Sequence, residues 1–377
     1  MATYDEKKKL RRGWTTGANA AAAALMALKG FHYGVKNITH RSVKIDLPHH
    51  SSVLFHAESL IEKNGHIIAN FKKDAGDDPD ITHGIIISAE IFPIKKNNND
   101  DTPTIMLEGG DGVGRVTRLG LPIEVGAPAI TKHPMNYIKK NFLHYLEKHP
   151  DLPQNFQIIF HLENGAELSK QTLNPRLGIV GGLSILGSSG VVIPYSCAAW
   201  IDSIHRSIDV AMANHQYHLI AATGSVSEAT AKEKLHLGEL AMIDMGDFYH
   251  ATMKYLRKKN YSGLLTIAGG PGKLLKLAQG YGDLHNERSR ANMGWLADKL
   301  TADLHFITDD EKTKMTTTIE KANSVAEVLA KLSDDNIKQT LCQIILHHCQ
   351  KQQQQKFSHN KISFMMVDRS GNIIAQG

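Results

Sequence analysis

The sequence predicts an α+β domain over residues 1–150, followed over 151–377 by an α/β domain with a parallel sheet and a helical C-terminal extension. Three observations predict it. An alanine-rich helical stretch near the N-terminus precedes short alternating strands joined by hairpin turns, the order of an α+β domain. Beyond the Pro/Asp-rich stretch His149–Gln154, apolar runs of strand length alternate with helical stretches, as crossover-connected parallel strands do. From Asp309 to Gln355 the chain turns charged, polar and helical.

At 377 residues the chain is long enough for two domains with full cores. Its formal charge of +5 comes without a long Lys/Arg run interleaved with aromatics, so nucleic acid is not an expected partner. A mildly basic balance suits a small polyanionic substrate. Cys197, Cys342 and Cys349 form neither a disulfide framework nor a C-x-x-C pair, and no protein-bound metal is expected. The first residues, MATYDEKKKLRRG, are not followed by an apolar segment, so no secretory signal is expected. No apolar run approaches the roughly 20 residues needed to span a bilayer. The expected setting is cytoplasmic, with no membrane partner; the oligomeric state is left open.

In the first half, Thr15-Thr16-Gly17 is an N-terminal signal for a helix over Ala18–Lys29, ended by Gly30. Strands are expected at Ser42–Leu47, Val53–Glu62 and His66–Phe71, the last two joined at the hairpin dipeptide Asn64-Gly65. Gly84–Phe92 and Thr104–Leu107 read as further strands, separated by an exposed flexible loop at Lys95–Thr102, and Met135–His149 reads as a helix. Two loops are chemically dense. Asp74, Asp77, Asp78 and Asp80 crowd one turn, with Thr82 and His83 beside them. Such carboxylates raise one another's pKa unless cations, amides or a metal relieve them. Pro79 interrupts the spacing of a calcium loop, which leaves a solvated turn or an active-site loop. In the second loop Gly109, Gly110, Gly112 and Gly114 lead to Arg115 and Arg118, whose guanidinium forks match carboxylates.

In the second half, strands at Gln157–His161, Gly178–Gly182, His218–Thr223, Leu240–Met245 and Gly263–Ala268 alternate with helices at Gly165–Thr172, Ala198–Ala213, Ser225–Leu235, Asp247–Asn260 and Gly272–Gln279. The alternation makes this domain Rossmann-like. Ligands in such sheets bind beyond the strands' carboxyl ends. There stand Gly181-Gly182, Thr223-Gly224-Ser225, Met245-Gly246-Asp247 and Gly269-Gly270-Pro271-Gly272. Ser225 and Glu228 fit a capping box and Asp247 an N-cap. Lys273 does not complete a phosphate loop, because Leu274 stands where Ser or Thr is required, and no G-x-G-x-x-G is present. His347-His348-Cys349 point different ways on a helix and make no zinc set. Ser363–Ala375 reads as a terminal hairpin turning at Asp368–Gly371.

The stretch Asn174–Gly190, NPRLGIVGGLSILGSSG, resembles the signature of the cobalt-precorrin-5B C(1)-methyltransferases (the CbiD type) of anaerobic cobalamin biosynthesis. Gly13–Ala24, Lys73–Gly84 and Glu108–Ile130 carry the same resemblance, which runs from about Arg11 to about Arg290 and departs from the family at Asn19, Gly270 and Asn286. The resemblance implies methyl transfer from S-adenosyl-L-methionine to C-1 of cobalt-precorrin-5B, giving cobalt-precorrin-6A, with the cobalt carried inside the tetrapyrrole. It implies a cofactor held by Gly181, Gly182, Ser184 and Gly187 with Thr223 and Gly224. Substrate would lie on Thr15, Thr16, Arg115 and Arg118. His83 or one of Asp74, Asp77, Asp78 and Asp80 would manage protons. The residues alone leave two other classes open, a dinucleotide-dependent tetrapyrrole oxidoreductase and a non-catalytic tetrapyrrole-binding protein.

Overall fold

The computed structural model describes residues 10–95, 102–304, 308–356 and 361–377. Residues 96–101 of the expected loop and the N-terminal 1–9 lie outside the described residues. Two compact units divide the chain at Cys197/Ala198, not at 150 as the sequence suggested.

The N-terminal unit opens with β1 (Gly13–Trp14) and α1 (Thr16–Tyr33). Then come β2 (Ser42–Leu47), β3 (His50–His56), β4 (Ser59–Lys63), β5 (His66–Lys72), β6 (Ile86–Pro93), β7 (Thr104–Gly109) and β8 (Arg115–Val116). It closes with α2 (Lys132–Glu147), β9 (Asn155–Leu162), α3 (Gly165–Ser169), β10 (Ile179–Val180) and β11 (Val191–Val192). Thr15 caps α1, its Oγ1 accepting the Ala18 N–H at 3.2 Å. Gly30 does not end the helix. A Cβ there would stand 2.9 Å from Ile67, so this glycine brings α1 close against the sheet. The alanines of α1 serve the same close packing and are fully buried.

The sheet beneath α1 runs β4-β5-β6-β9-β7, antiparallel except for the β7–β9 pair. Asn64 and Gly65 both take positive φ (55° and 79°) at the β4–β5 turn, as a type I′ hairpin requires. The position of β9, hydrogen-bonded on both sides within this sheet, is what carries the unit past residue 150. The expected strand at Gly178–Gly182 is likewise not part of a parallel sheet. Only Ile179–Val180 is extended, pairing antiparallel with β8.

The C-terminal unit contains α4 (Cys197–Ala213), β12 (His218–Ala222), α5 (Ser225–Leu235), β13 (Met242–Asp244), α6 (Tyr249–Lys258), β14 (Leu264–Gly269) and α7 (Pro271–Ala278). The extension follows as α8 (Met293–Asp303), α9 (Asp309–Glu320), α10 (Val325–Lys331) and α11 (Asp335–Lys356), and the chain ends with β15 (Lys361–Val367) and β16 (Ile373–Gln376). The sheet order is β13-β12-β14-β15-β16, with the first four strands parallel and β16 antiparallel at the edge. The terminal hairpin is present, and its first strand also extends the parallel sheet. The expected capping box at Ser225 and Glu228 does not form, since Gly224 is the N-cap of α5 and makes no side-chain bond; a different capping box, Thr308 with Glu311, starts α9. Asp247 is not an N-cap either, since α6 begins two residues later behind Phe248. Among the described residues, no helix is long and apolar enough to cross a membrane.

Candidate active site

The acidic loop of the N-terminal unit is relieved by cations. Arg11 forks onto Asp74, with Nη2 2.9 Å from Oδ1 and Nη1 bonded to Oδ2. The Arg11 hydrogen bond, over the opposing cost of partial burial, holds the Asp74 carboxyl down to about 2. Lys73 is only 1% exposed and puts its ammonium 2.6 Å from Asp80 Oδ2. Burial pushes the Asp80 carboxyl up, but the Lys73 charge and the bonds from Lys73 and Thr82 outweigh it and leave it below its ordinary value. Asp74 and Asp80 are therefore fixed anions. Neither Arg11 nor Lys73 was singled out in the sequence, although Lys73 adjoins the loop.

Two carboxylates of the loop keep an oxygen outside these clamps. Asp77 Oδ2 accepts the Arg11 N–H at 2.7 Å, and Asp78 Oδ1 accepts the Tyr195 N–H at 2.9 Å. His83 Nδ1 accepts the Ala75 N–H at 3.1 Å.

The glycine stretch and the first helix lock together. Thr16 Oγ1 donates to Ser184 O at 3.0 Å and accepts the Leu186 N–H at 2.9 Å. Thr15 supplies the helix cap, and both threonine hydroxyls are buried and taken up by the fold. Ser184 is buried too, its Oγ 3.3 Å from Asn174 Oδ1, while Asn174 Nδ2 donates to Gly182 O at 3.0 Å. A Cβ on Gly182 would collide with the Gly112 backbone, and one on Gly187 with the Thr15 side chain. Tyr137 donates to Gly187 O at 3.1 Å, and burial raises its phenol far above the ordinary value, keeping it a neutral donor. Gly181 alone of the expected cofactor glycines here has an open Cβ position, at φ 82°.

Arg115 and Arg118 differ in availability. Arg115 donates to Glu108 Oε1 at 2.6 Å and to Gly126 O at 3.0 Å. Arg118 lays its aliphatic stem over Gly178 and has no ion pair among the described residues. In the same unit Leu119 (62% exposed), Val125, Val180 (58%) and Leu186 present large apolar side chains to solvent.

In the C-terminal unit the carboxyl ends of β12, β13 and β14 carry Thr223-Gly224, Met245-Gly246-Asp247 and Gly269-Gly270. Chain connections leave in opposite directions from β12 and β14, which makes their junction a topological switch point. Thr223 is buried, its N–H donating to Ala268 O at 2.9 Å and its side chain filling the space above Gly269. Nothing lies within 4 Å of a Cβ built on Gly224 or Gly272, so the backbone there is open to close approach. Lys273 donates to Thr223 O at 2.6 Å. Thr223 and Gly224 thus belong to a different unit from the other four expected cofactor residues.

The CbiD family model matches residues 3–194, nearly the whole N-terminal unit. A cobalt-precorrin-5B C(1)-methyltransferase of Brucella anthropi is 44% identical over 291 residues, 77% of this chain and 76% of that protein. Another, from Methylorubrum extorquens, is 40% identical over 324 residues, 86% of this chain and 85% of that one. The crystal structure of a cobalamin biosynthesis protein (cbiD) from Archaeoglobus fulgidus is 28% identical, covers 74% of this chain and 83% of that one, and superposes with a TM-score of 0.39. With the family model matched over more than half its length and relatives above 40% identity across most of it, the chain belongs to the CbiD family.

Proposed function

We propose that this chain is a cobalt-precorrin-5B C(1)-methyltransferase of cobalamin biosynthesis that takes its methyl group from S-adenosyl-L-methionine. The observation that carries the reaction is the run of relatives bearing that name, matched over 77% or more of this chain. The donor is read from the C-terminal unit, whose sheet order we take as Rossmann-like. Its strand ends fit such a ligand on two counts: the open backbone at Gly224 and Gly272, and a Lys273–Asp247 ion pair at 3.1 Å whose buried Asp247 Oδ1 accepts no aligned hydrogen bond. S-adenosyl-L-methionine would supply an electrophilic methyl on a sulfonium, leaving as the thioether once a carbon of the tetrapyrrole has taken the methyl.

In this reading Thr223, Gly224 and Gly270 line the donor site. Gly182, Ser184 and Gly187 have an architectural task, holding α1 to its neighbouring loop. Arg118 meets substrate carboxylates, and the exposed Val180 and Leu186 offer an apolar surface to a flat macrocycle. Asp77 and Asp78, each with an oxygen outside the clamps, are the proton-handling candidates of the acidic loop. Titration calorimetry of the full chain with S-adenosylhomocysteine and with NADH tests the donor. Binding of the first alone is expected; binding of NADH alone would favour an oxidoreductase.

A further inference from the structure

We infer that Lys273 and Asp247 read the amino-acid end of the methyl donor, the lysine its carboxylate and the aspartate its ammonium. The inference rests on the reading of this sheet edge as the donor site.

Lys273 is anchored but not saturated. One N–H goes to Thr223 O at 2.6 Å, and the ammonium stands 3.1 Å from Asp247 Oδ1 without hydrogen-bond alignment. Its side chain remains 35% exposed at the carboxyl end of β12. An ammonium has three N–H donors, so anchoring leaves capacity for a ligand carboxylate.

Asp247 shows the complementary deficit. Its Oδ1 is buried and accepts no aligned hydrogen bond, the Lys273 ammonium at 3.1 Å being its ion-pair partner. A misaligned ion pair leaves a buried carboxylate oxygen short of the hydrogen bonds it could accept. Such an atom in a folded protein calls for an explanation, and a ligand donor is one. The residue is held in place from both sides: Gly246 before it takes φ 55°, and Asp247 O accepts the Leu284 N–H at 3.0 Å.

Other charges nearby are already engaged. Lys276 is buried and donates to Leu284 O at 2.8 Å and Asn286 Oδ1 at 2.7 Å, and Asp283 is paired with Arg288 at 2.5 Å. A zwitterion carries one charge of each sign a few bonds apart, which matches a Lys–Asp pair with unfilled valences on each partner. The open positions at Gly224 and Gly272 leave room beside it.

The alternative is an ion pair that merely ties α6 to α7. Calorimetry on the full chain separates the two, using S-adenosylhomocysteine and 5′-methylthioadenosine, which keeps the adenosine and thioether but lacks the amino-acid end. Wild type should prefer S-adenosylhomocysteine by at least about tenfold, since a site with buried polar groups rejects a ligand that leaves them unpaired. Asp247→Asn and Lys273→Met should each remove that preference while binding methylthioadenosine as wild type does. Asp247→Asn keeps the side-chain shape, so it serves even if Lys273→Met disturbs Thr223. An unchanged preference in both variants would overturn the inference and leave the donor site standing, as would an equal loss of both ligands. Failure of the wild type to bind either ligand would instead remove the donor reading on which the inference rests.

Discussion

Gly182 and Gly112 pack backbone to backbone. Gly112 O accepts the Leu183 N–H at 2.8 Å, and a Cβ on Gly182 would stand only 2.2 Å from that oxygen. The contact joins the glycine-rich loop after β7 to the signature stretch. It accounts for a glycine at 182 without any ligand.

Gly182→Val should therefore act on stability. Overpacking of this kind costs about 1–3 kcal/mol, with larger losses where backbone must move. Thermal melts should show a clear drop in Tm. Gly224→Ala is the contrasting variant: its φ of 176° suits any residue and no atom lies near. It should melt as wild type does while binding S-adenosylhomocysteine at least about tenfold more weakly, roughly 1.4 kcal/mol. Unchanged binding in that variant would move the donor away from β12.

The two arginines should separate in kinetics. Arg118, unpaired among the described residues, should on replacement by Ala raise KM for the tetrapyrrole more than it lowers kcat. Arg115→Ala breaks the Glu108 pair and should mainly lower Tm. Equal KM effects from both would show that the pairing of Arg115 does not withhold it from substrate.

Asp77→Asn and Asp78→Asn test charge with little change of shape. If either carboxylate handles a proton, turnover should fall by about 10²–10⁴-fold while both ligands still bind. Single-turnover methylation followed by mass spectrometry reports this. Wild-type rates in both variants would reduce the loop to a structural turn.

The Arg11–Asp74 clamp predicts a defined acid limb. The folded-state carboxyl lies at about 2 against an ordinary 3.8, a depressed value. Its contribution to stability is thus complete above pH 3.8 and is lost as pH falls towards 2. Asp74→Asn should melt below wild type near neutrality, and the gap should close by about pH 2. A gap that persisted there would show that the side chain acts through its shape and not its charge.

Local features were legible in the sequence. Asn64-Gly65 dictates its hairpin because the turn needs two positive φ values, and Thr15 announces α1 because a helix start needs an acceptor. Pairing between distant residues was not. Asn155–Leu162 looks like the first strand of the second domain until its neighbours are known. One signal was present: Phe156, Ile158, Phe160 and Leu162 alternate with polar or less buried positions, the pattern of a sheet covered on one face. His218–Ala222, in the parallel sheet, is buried almost continuously. The acidic loop was visible as four carboxylates, but the cation on Asp74 comes from 63 positions away. The family resemblance marked Thr15, Thr16 and Ser184 without revealing that their hydroxyls bond to one another's neighbourhood inside the fold.

The most direct measurement is methyl transfer itself. Purified chain would be incubated with cobalt-precorrin-5B and S-adenosyl-L-methionine bearing a ¹³C-labelled methyl group, and the product examined by mass spectrometry and NMR. One labelled methyl on C-1, with S-adenosylhomocysteine released in equal amount, is the predicted result. A tetrapyrrole that binds but returns unmethylated, or that carries its label at another carbon, would contradict it.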